Sequence, residues 1–157
     1  MKLLIVSSVL ISWIVLSSFS SVPYEWKDQK IQFHLPDFFL EEKSSDAEFV
    51  AKGRDVVFQL NVYMDELIEE NQLKSFVSKI GIENFGLSQS KEFETINSKG
   101  FKGHCVKGLA DGNLIYVVGL IDVDSGISYY GMIKYKGASN VDLSVARSII
   151  SSVEKYH

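Results

Sequence analysis

The sequence predicts an α+β domain, a mainly antiparallel sheet carrying one helix on each face. Three observations predict it. Short segments of alternating polarity follow one another, separated by turn residues, which is the pattern of antiparallel strands. Two stretches switch to helical spacing, one in the middle of the chain and one near its C-terminus. And the stretch Leu114 to Ile121 is apolar at nearly every position, which implies a strand covered on both faces.

The first segment is a targeting signal rather than part of the domain. Lys2 supplies a positive start, Leu3 to Leu16 run apolar apart from hydroxyl side chains, and small residues Ser17, Ser18, Ser20 and Ser21 follow. That order reads as a cleavable export signal over residues 1–20, with the cut after Ser20. The apolar run falls short of the roughly 20 residues a bilayer span needs, though a retained N-terminal anchor is the alternative reading. With the signal removed, no run long enough to span a membrane remains, so the mature protein is expected to be exported, periplasmic or secreted.

Residues 21–157 are enough for one domain with a core of its own. Cys105 is the only cysteine, so no intrachain disulfide is available. An exported domain without disulfides, and without an Asn-x-Ser/Thr sequon, fits a bacterial envelope better than an animal secretory pathway. The chain's net charge is −4, one unit more negative once Lys2 is gone. Its lysines are scattered and Arg54 and Arg147 are its only arginines, so nucleic acid and anionic lipid are poor partners.

Along the domain, Ile31, Phe33 and Leu35 alternate with Gln32 and His34 and form the opening strand. After the Pro36–Asp37 turn, Phe38 to Glu42 reads as a second short strand, and Ala47, Phe49 and Ala51 give the apolar face of a third. Lys52 to Asp55 is a hairpin turn, followed by Phe58, Leu60, Val62 and Met64 at period two. Leu73, Phe76, Val77 and Ile80 then line one stripe of a helix, opened by Asp65, Glu66, Glu69 and Glu70 at the positive end of its dipole and bracketed at its end by Gly81 and Gly86. Leu87 to Asn97 is a polar strand near a sheet edge. Phe101 to Leu109, Leu114 to Val123 and Ile127 to Tyr135 are three strands joined by turns at Asp111-Gly112-Asn113 and Asp124-Ser125-Gly126. A last helix carries Leu143, Ala146, Ile149, Ile150 and Val153, with Ser139 or Asn140 as N-cap and Asp142 in its first turn.

Four groups of residues could carry chemistry. His104 and Cys105 pair an imidazole with a thiol, but neighbours on a strand point to opposite faces, so they cannot converge on one atom. Cys105 reads as a small apolar core position. Asp122-Val123-Asp124-Ser125-Gly126 opens like a calcium loop, yet its glycine is one position early and Ile133 stands where a glutamate is required. A hairpin turn accounts for the same residues. The run Asp65, Glu66, Glu69 and Glu70 reads as a solvated face at a helix start, since a catalytic pair needs burial to split its pKa values. Tyr116, Tyr129, Tyr130 and Tyr135 concentrate aromatic surface on two neighbouring strands, most of it core, with one or two facing a groove between helix and sheet. Gly100-Phe101-Lys102-Gly103 leads into a strand, not a helix, and so is no phosphate loop. No catalytic, cofactor-binding or metal residue is assigned.

The run Ile31-Gln32-Phe33-His34-Leu35-Pro36-Asp37-Phe38, with its proline between aromatic residues, is similar to the F-x-x-P-x-x-F opening of the Mog1/PsbP-like family. The middle helix, Gly100-Phe101-Lys102-Gly103, the two long strands after it and Ala146-Arg147-Ser148-Ile149-Ile150-Ser151-Ser152 resemble the family's later course over nearly the whole mature chain. The resemblance implies a three-layer α/β/α sandwich in small exported bacterial proteins, used for accessory or binding roles that include photosystem assembly, a GTPase partner and envelope proteins. It implies no shared catalytic residues. The family's bacterial members are often lipid-anchored, and this chain lacks the cysteine such an anchor needs. The resulting expectation is a non-enzymatic binding or accessory module of the bacterial envelope, with a protein partner or small ligand and no cofactor. The competing reading is a small hydrolase or metal-dependent enzyme using Asp122, Asp124 or His104. A third, a ligand carrier, requires an apolar cavity between a helix and the sheet.

Overall fold

A computed structural model of the chain describes residues 20–137 and 143–156. The signal segment, the N-cap residues Ser139 and Asn140, and Asp142 lie outside the described residues. Ten strands and two α-helices follow one another: β1 (Ser21–Trp26), β2 (Ile31–Pro36), β3 (Leu40–Ser44), β4 (Glu48–Lys52), β5 (Val56–Tyr63), α1 (Leu73–Phe85), β6 (Gln89–Ser98), β7 (Phe101–Ala110), β8 (Asn113–Asp122), β9 (Ser128–Tyr135), α2 (Leu143–Ser152) and β10 (Glu154–Lys155). Seven strands make one sheet in the order β3-β4-β5-β9-β8-β7-β6, and a small second sheet has the order β1-β2-β10. Every pairing is antiparallel. The expected class, antiparallel sheet with two helices, is the class observed.

The three long hairpin strands form as their turns dictate. Asp111 and Gly112 both take positive φ, +50° and +74°, the conformation a two-residue hairpin turn requires. Residues Ile115 to Leu120 of β8 are buried without interruption, as a strand with apolar residues on both faces must be. One face, with Tyr116, Val118 and Leu120, shares a core cluster with Ala146 and Ile149 of α2 and with Trp26, Ile31 and Phe33 of the small sheet. The opposite face, with Ile115 and Val117, shares a second cluster with Phe76, Val77 and Ile80 of α1.

Helix α1 begins behind a reciprocal cap, in which the Glu69 backbone N–H donates to Gln72 Oε1 at 2.9 Å. It ends at Gly86, whose left-handed φ of +68° lets the N–H groups of Gly86 and Leu87 return to the carbonyls of Ile82 and Gly81. Gly81 does not end the helix. It lies inside it, buried, where a Cβ would stand 2.7 Å from Leu87 Cδ1.

Closest approach of helix to sheet falls at Gly119 on β8. A Cβ there would lie 2.5 Å from Val77 Cγ2 and 3.2 Å from the Phe76 ring. Val77 is branched and fully buried, so it cannot swing aside. Gly119→Ala is therefore expected to destabilise the domain by about 1–3 kcal/mol through overpacking. A urea midpoint unchanged from the parent chain would contradict that contact.

Four expectations are corrected. The opening strand is β1, not the one at Ile31, and it escapes a period-two reading because only Trp26 of its residues is buried. The second short strand begins at Leu40 rather than Phe38, and Phe39 is the buried ring while Phe38 is 40% exposed. Met64 is not an inward strand position, since β5 ends at Tyr63 and Met64 is 82% exposed. The helix at the C-terminus is followed by β10, which the helical stripe gave no reason to expect.

Candidate functional site

Strand parity decides the fate of the proposed enzyme residues. His104 sits opposite Gly119 in the β7–β8 ladder, on the face that meets α1. Asp122 sits opposite Phe101, on the other face, against β10. The two side chains are thus separated by the sheet itself. Asp124 is exposed in the following turn. The structure does not bring His104, Asp122 and Asp124 together, and among the described residues no three His, Cys, Asp or Glu side chains are placed to share a metal ion.

Each of these residues has a local explanation. The Asp122 carboxylate, 1% exposed as a side chain, accepts the N–H of Asp124 at 3.0 Å, the N–H of Ser125 at 3.4 Å and the Ser125 hydroxyl at 2.7 Å, and it pairs with Lys155. That is a turn-closing aspartate, not a calcium ligand. Burial would raise its pKa, but the hydrogen bonds from Lys155, Ser125 and the Asp124 N–H together hold it below the usual carboxylate range. Cys105 is fully buried, and burial, with the Glu94 carboxylate adding to it, pushes the thiol far up. Such a thiol stays protonated and is a poor nucleophile.

Three of the four tyrosines are core. Tyr116, Tyr129 and Tyr135 are buried on the α2 face, and Tyr129, pushed up to about 12 by burial and then by Asp122, donates to Gln29 Oε1 at 3.0 Å. Tyr130 is the exception. It lies on the α1 face and lines a cavity of about 220 Å³ beside Tyr63, Lys79 and Glu83.

The largest cavity described, about 520 Å³, opens on the other side of the same chain segment. It is a groove between the end of β5 and the start of β9, lined by Val62, Met64, Asp65, Leu67, Ile127 and Ser128 among others. Met64 and Leu67 are each 82% exposed and Ile127 is 39% exposed, so an apolar strip meets solvent where the chain leaves the sheet. Asp65 and Glu66 sit within that strip. Their field is felt nearby: Tyr63 has a raised pKa, first from desolvation and then from Glu66 and Asp65. In the wall of the groove Ser128 is 2% exposed and its Oγ has no hydrogen-bond partner.

A smaller cavity of about 250 Å³ lies on the α1 face, where the start of α1 meets β6 and β7. His104, Lys74 and Lys102 line it. Burial lowers the His104 pKa, with Lys74 acting in the same direction and Glu92 opposing both, so the ring is neutral at pH 7. Sequence reasoning singled out the acidic run and His104 but neither cavity. Exposed apolar residues beside carboxylates were a usable signal at Met64-Asp65-Glu66-Leu67, hidden because Met64 continues the alternation of β5.

No protein-family model matches the chain, and no curated protein matches it in sequence. Solved structures do match in shape. The Saccharomyces cerevisiae Ran-binding protein Mog1p superposes with a TM-score of 0.56 at 14% identity, over 83% of this chain and 84% of that one. A mutant form of Mog1 gives a TM-score of 0.54 at 11% identity, over 82% and 83%. A Bacteroides thetaiotaomicron protein gives 0.50 at 10% identity, over 88% of this chain and 49% of that one. The resemblance read from the sequence holds as a likeness of fold to Mog1.

Proposed function

We propose that residues 1–20 direct export and are removed, and that residues 21–157 work in the bacterial envelope as a non-enzymatic module that docks a protein partner. We read its layers as α1, the large sheet, and α2 with the small sheet. The observation that carries the docking role is the exposed strip of Met64 and Leu67, each 82% exposed, beside a groove of about 520 Å³. Contiguous apolar surface rimmed by polar groups is the mark of an interaction site. Asp65 and Glu66 fix the partner's chemistry by charge complementarity: an apolar side chain flanked by lysine or arginine. A Ran-binding protein among the proteins of like fold supports a protein partner, as analogy only.

The enzyme reading loses its support, because the sheet lies between His104 and Asp122. The carrier reading fares no better: the cavity between α1 and the sheet at Tyr130 is lined by Asp65, Lys79, Glu83 and Asn84, not by an apolar wall.

The test is a cross-linking experiment in the native envelope with a photoreactive residue at Leu67, paired with Met64→Asp/Leu67→Asp. Both residues are exposed, so the double variant should fold with stability changed by less than about 0.5 kcal/mol per site. The expected result is one reproducible partner cross-linked through a basic, apolar segment, with affinity for the double variant reduced more than about tenfold. The purified protein should begin at Ser21. A partner bound equally well by the double variant would overturn the docking site, and an intact N-terminus on the native protein would overturn removal of the signal.

A further inference from the structure

We propose that the cavity at the start of α1 is a binding site for a small oxyanion, a ligand bearing a carboxylate or phosphate group. Its floor contains an unmet hydrogen-bonding group. His104 is 5% exposed and lines the cavity, and its Nε2 has no partner among the described residues. An orphaned polar atom at that depth costs about 1–3 kcal/mol and calls for a ligand or an ordered water. A neutral imidazole that protonates Nε2 offers one donor there, and an oxyanion accepts it.

The surroundings favour negative charge over neutral or positive ligands. Lys74 and Lys102 stand at the rim, and Leu73 and Lys74 belong to the first turn of α1, the positive end of a helix long enough to have one. Opposing them is Glu70, also in the lining. Its hold on Lys102 is loose, 3.6 Å between Nζ and Oε1, with both side chains well exposed. Such a pair contributes little, so an incoming anion can take the ammonium at small cost. Lys74 is engaged more closely, by Glu92 at 2.6 Å, but that pair too is exposed on both sides. Thr95 and Asn97 on β6 add neutral hydrogen-bonding groups to the opposite wall. At about 250 Å³ the cavity lies just below the range of drug-sized sites, which limits the occupant to a small molecule.

Inorganic phosphate and acetate are the probes. The protein, purified after expression of the full chain and isotopically labelled, is titrated with each at constant ionic strength and followed by nuclear magnetic resonance. The expected result is a saturable shift of the His104 ring and of the Lys102 and Gly103 amides with at least one of the two anions. Lys102→Gln, at an exposed position that cannot disturb the core, should weaken that binding about fivefold to tenfold, as loss of a charge-assisted hydrogen bond does. His104→Gln should weaken it further. Saturation with phosphate alone assigns the site to phosphate-bearing ligands, and with acetate alone to carboxylates. Absence of a saturable shift with either anion overturns the proposal, and so does binding that Lys102→Gln leaves unchanged.

Discussion

Replacing Asp122 by alanine is expected to destabilise the domain by about 3–5 kcal/mol, the range seen when one partner of a buried ion pair is removed. The side chain joins three structures at once. It closes the β8–β9 turn through Asp124 and Ser125, and through Lys155 it ties β10, and so the small sheet, to the large one. Lys155 is only 17% exposed as a side chain, so the alanine variant leaves an ammonium group poorly solvated and unpaired. Asp122→Asn keeps a turn acceptor and loses the charge, and should fall between the two. The pH dependence follows from the sign of the shift. The folded-state pKa of Asp122 is depressed, so its contribution is fully present above the unfolded value of about 3.9 and is lost as pH falls through the lower folded value. Urea midpoints should therefore show a large gap between parent and Asp122→Asn at neutral pH, closing below about pH 4. A gap that stays constant into acid would mean the carboxylate's charge contributes nothing.

How much of this was legible beforehand depends on how locally each feature is specified. The stripe Leu73, Phe76, Val77, Ile80 is buried as its spacing demands, and β7, β8 and β9 lie where alternation and turn residues put them. The edge position expected for Leu87 to Asn97 is that of β6. Parity alone separates His104 from Cys105, because it needs only a strand. Separating His104 from Asp122 needs the register of two strands, and a sequence does not state a register. A bulge between Glu92 and Glu94 shows the same difficulty: it lets Phe93 and Ile96 join one core cluster although three positions apart. The small sheet was invisible because β10 is two residues long and β1 is almost wholly exposed. Both cavities are made by tertiary packing, one between α1 and β6–β7 and one where β5 leaves the sheet, so no local pattern could announce them.

Trp26→Ala should be the most damaging substitution in the small sheet, at about 3–5 kcal/mol. Trp26 is 0% exposed, its ring meets Tyr129 edge-on with centroids 6.0 Å apart, and its indole N–H donates to the Ser45 carbonyl. Those contacts join β1 to the central strand β9 and to the β3–β4 turn. Trp26→Phe retains most of the apolar contact and loses the indole donor, so about 1–2 kcal/mol is expected for it. Trp13 lies in the signal, which leaves Trp26 as the one tryptophan of residues 21–157, so in the parent protein its fluorescence reports unfolding directly. Circular dichroism serves for the variants. Because Trp26, Phe33 and Ile31 share a cluster with Leu120 and Tyr129, the loss should be felt everywhere at once. Amide exchange in Trp26→Ala should then quicken by the same factor in β2 and in β7–β9 for amides that open only by global unfolding. If β2 and β10 exchange early while β7–β9 keep their full protection, the small sheet is an annex that opens alone. The core would then consist of the large sheet and its helices without it.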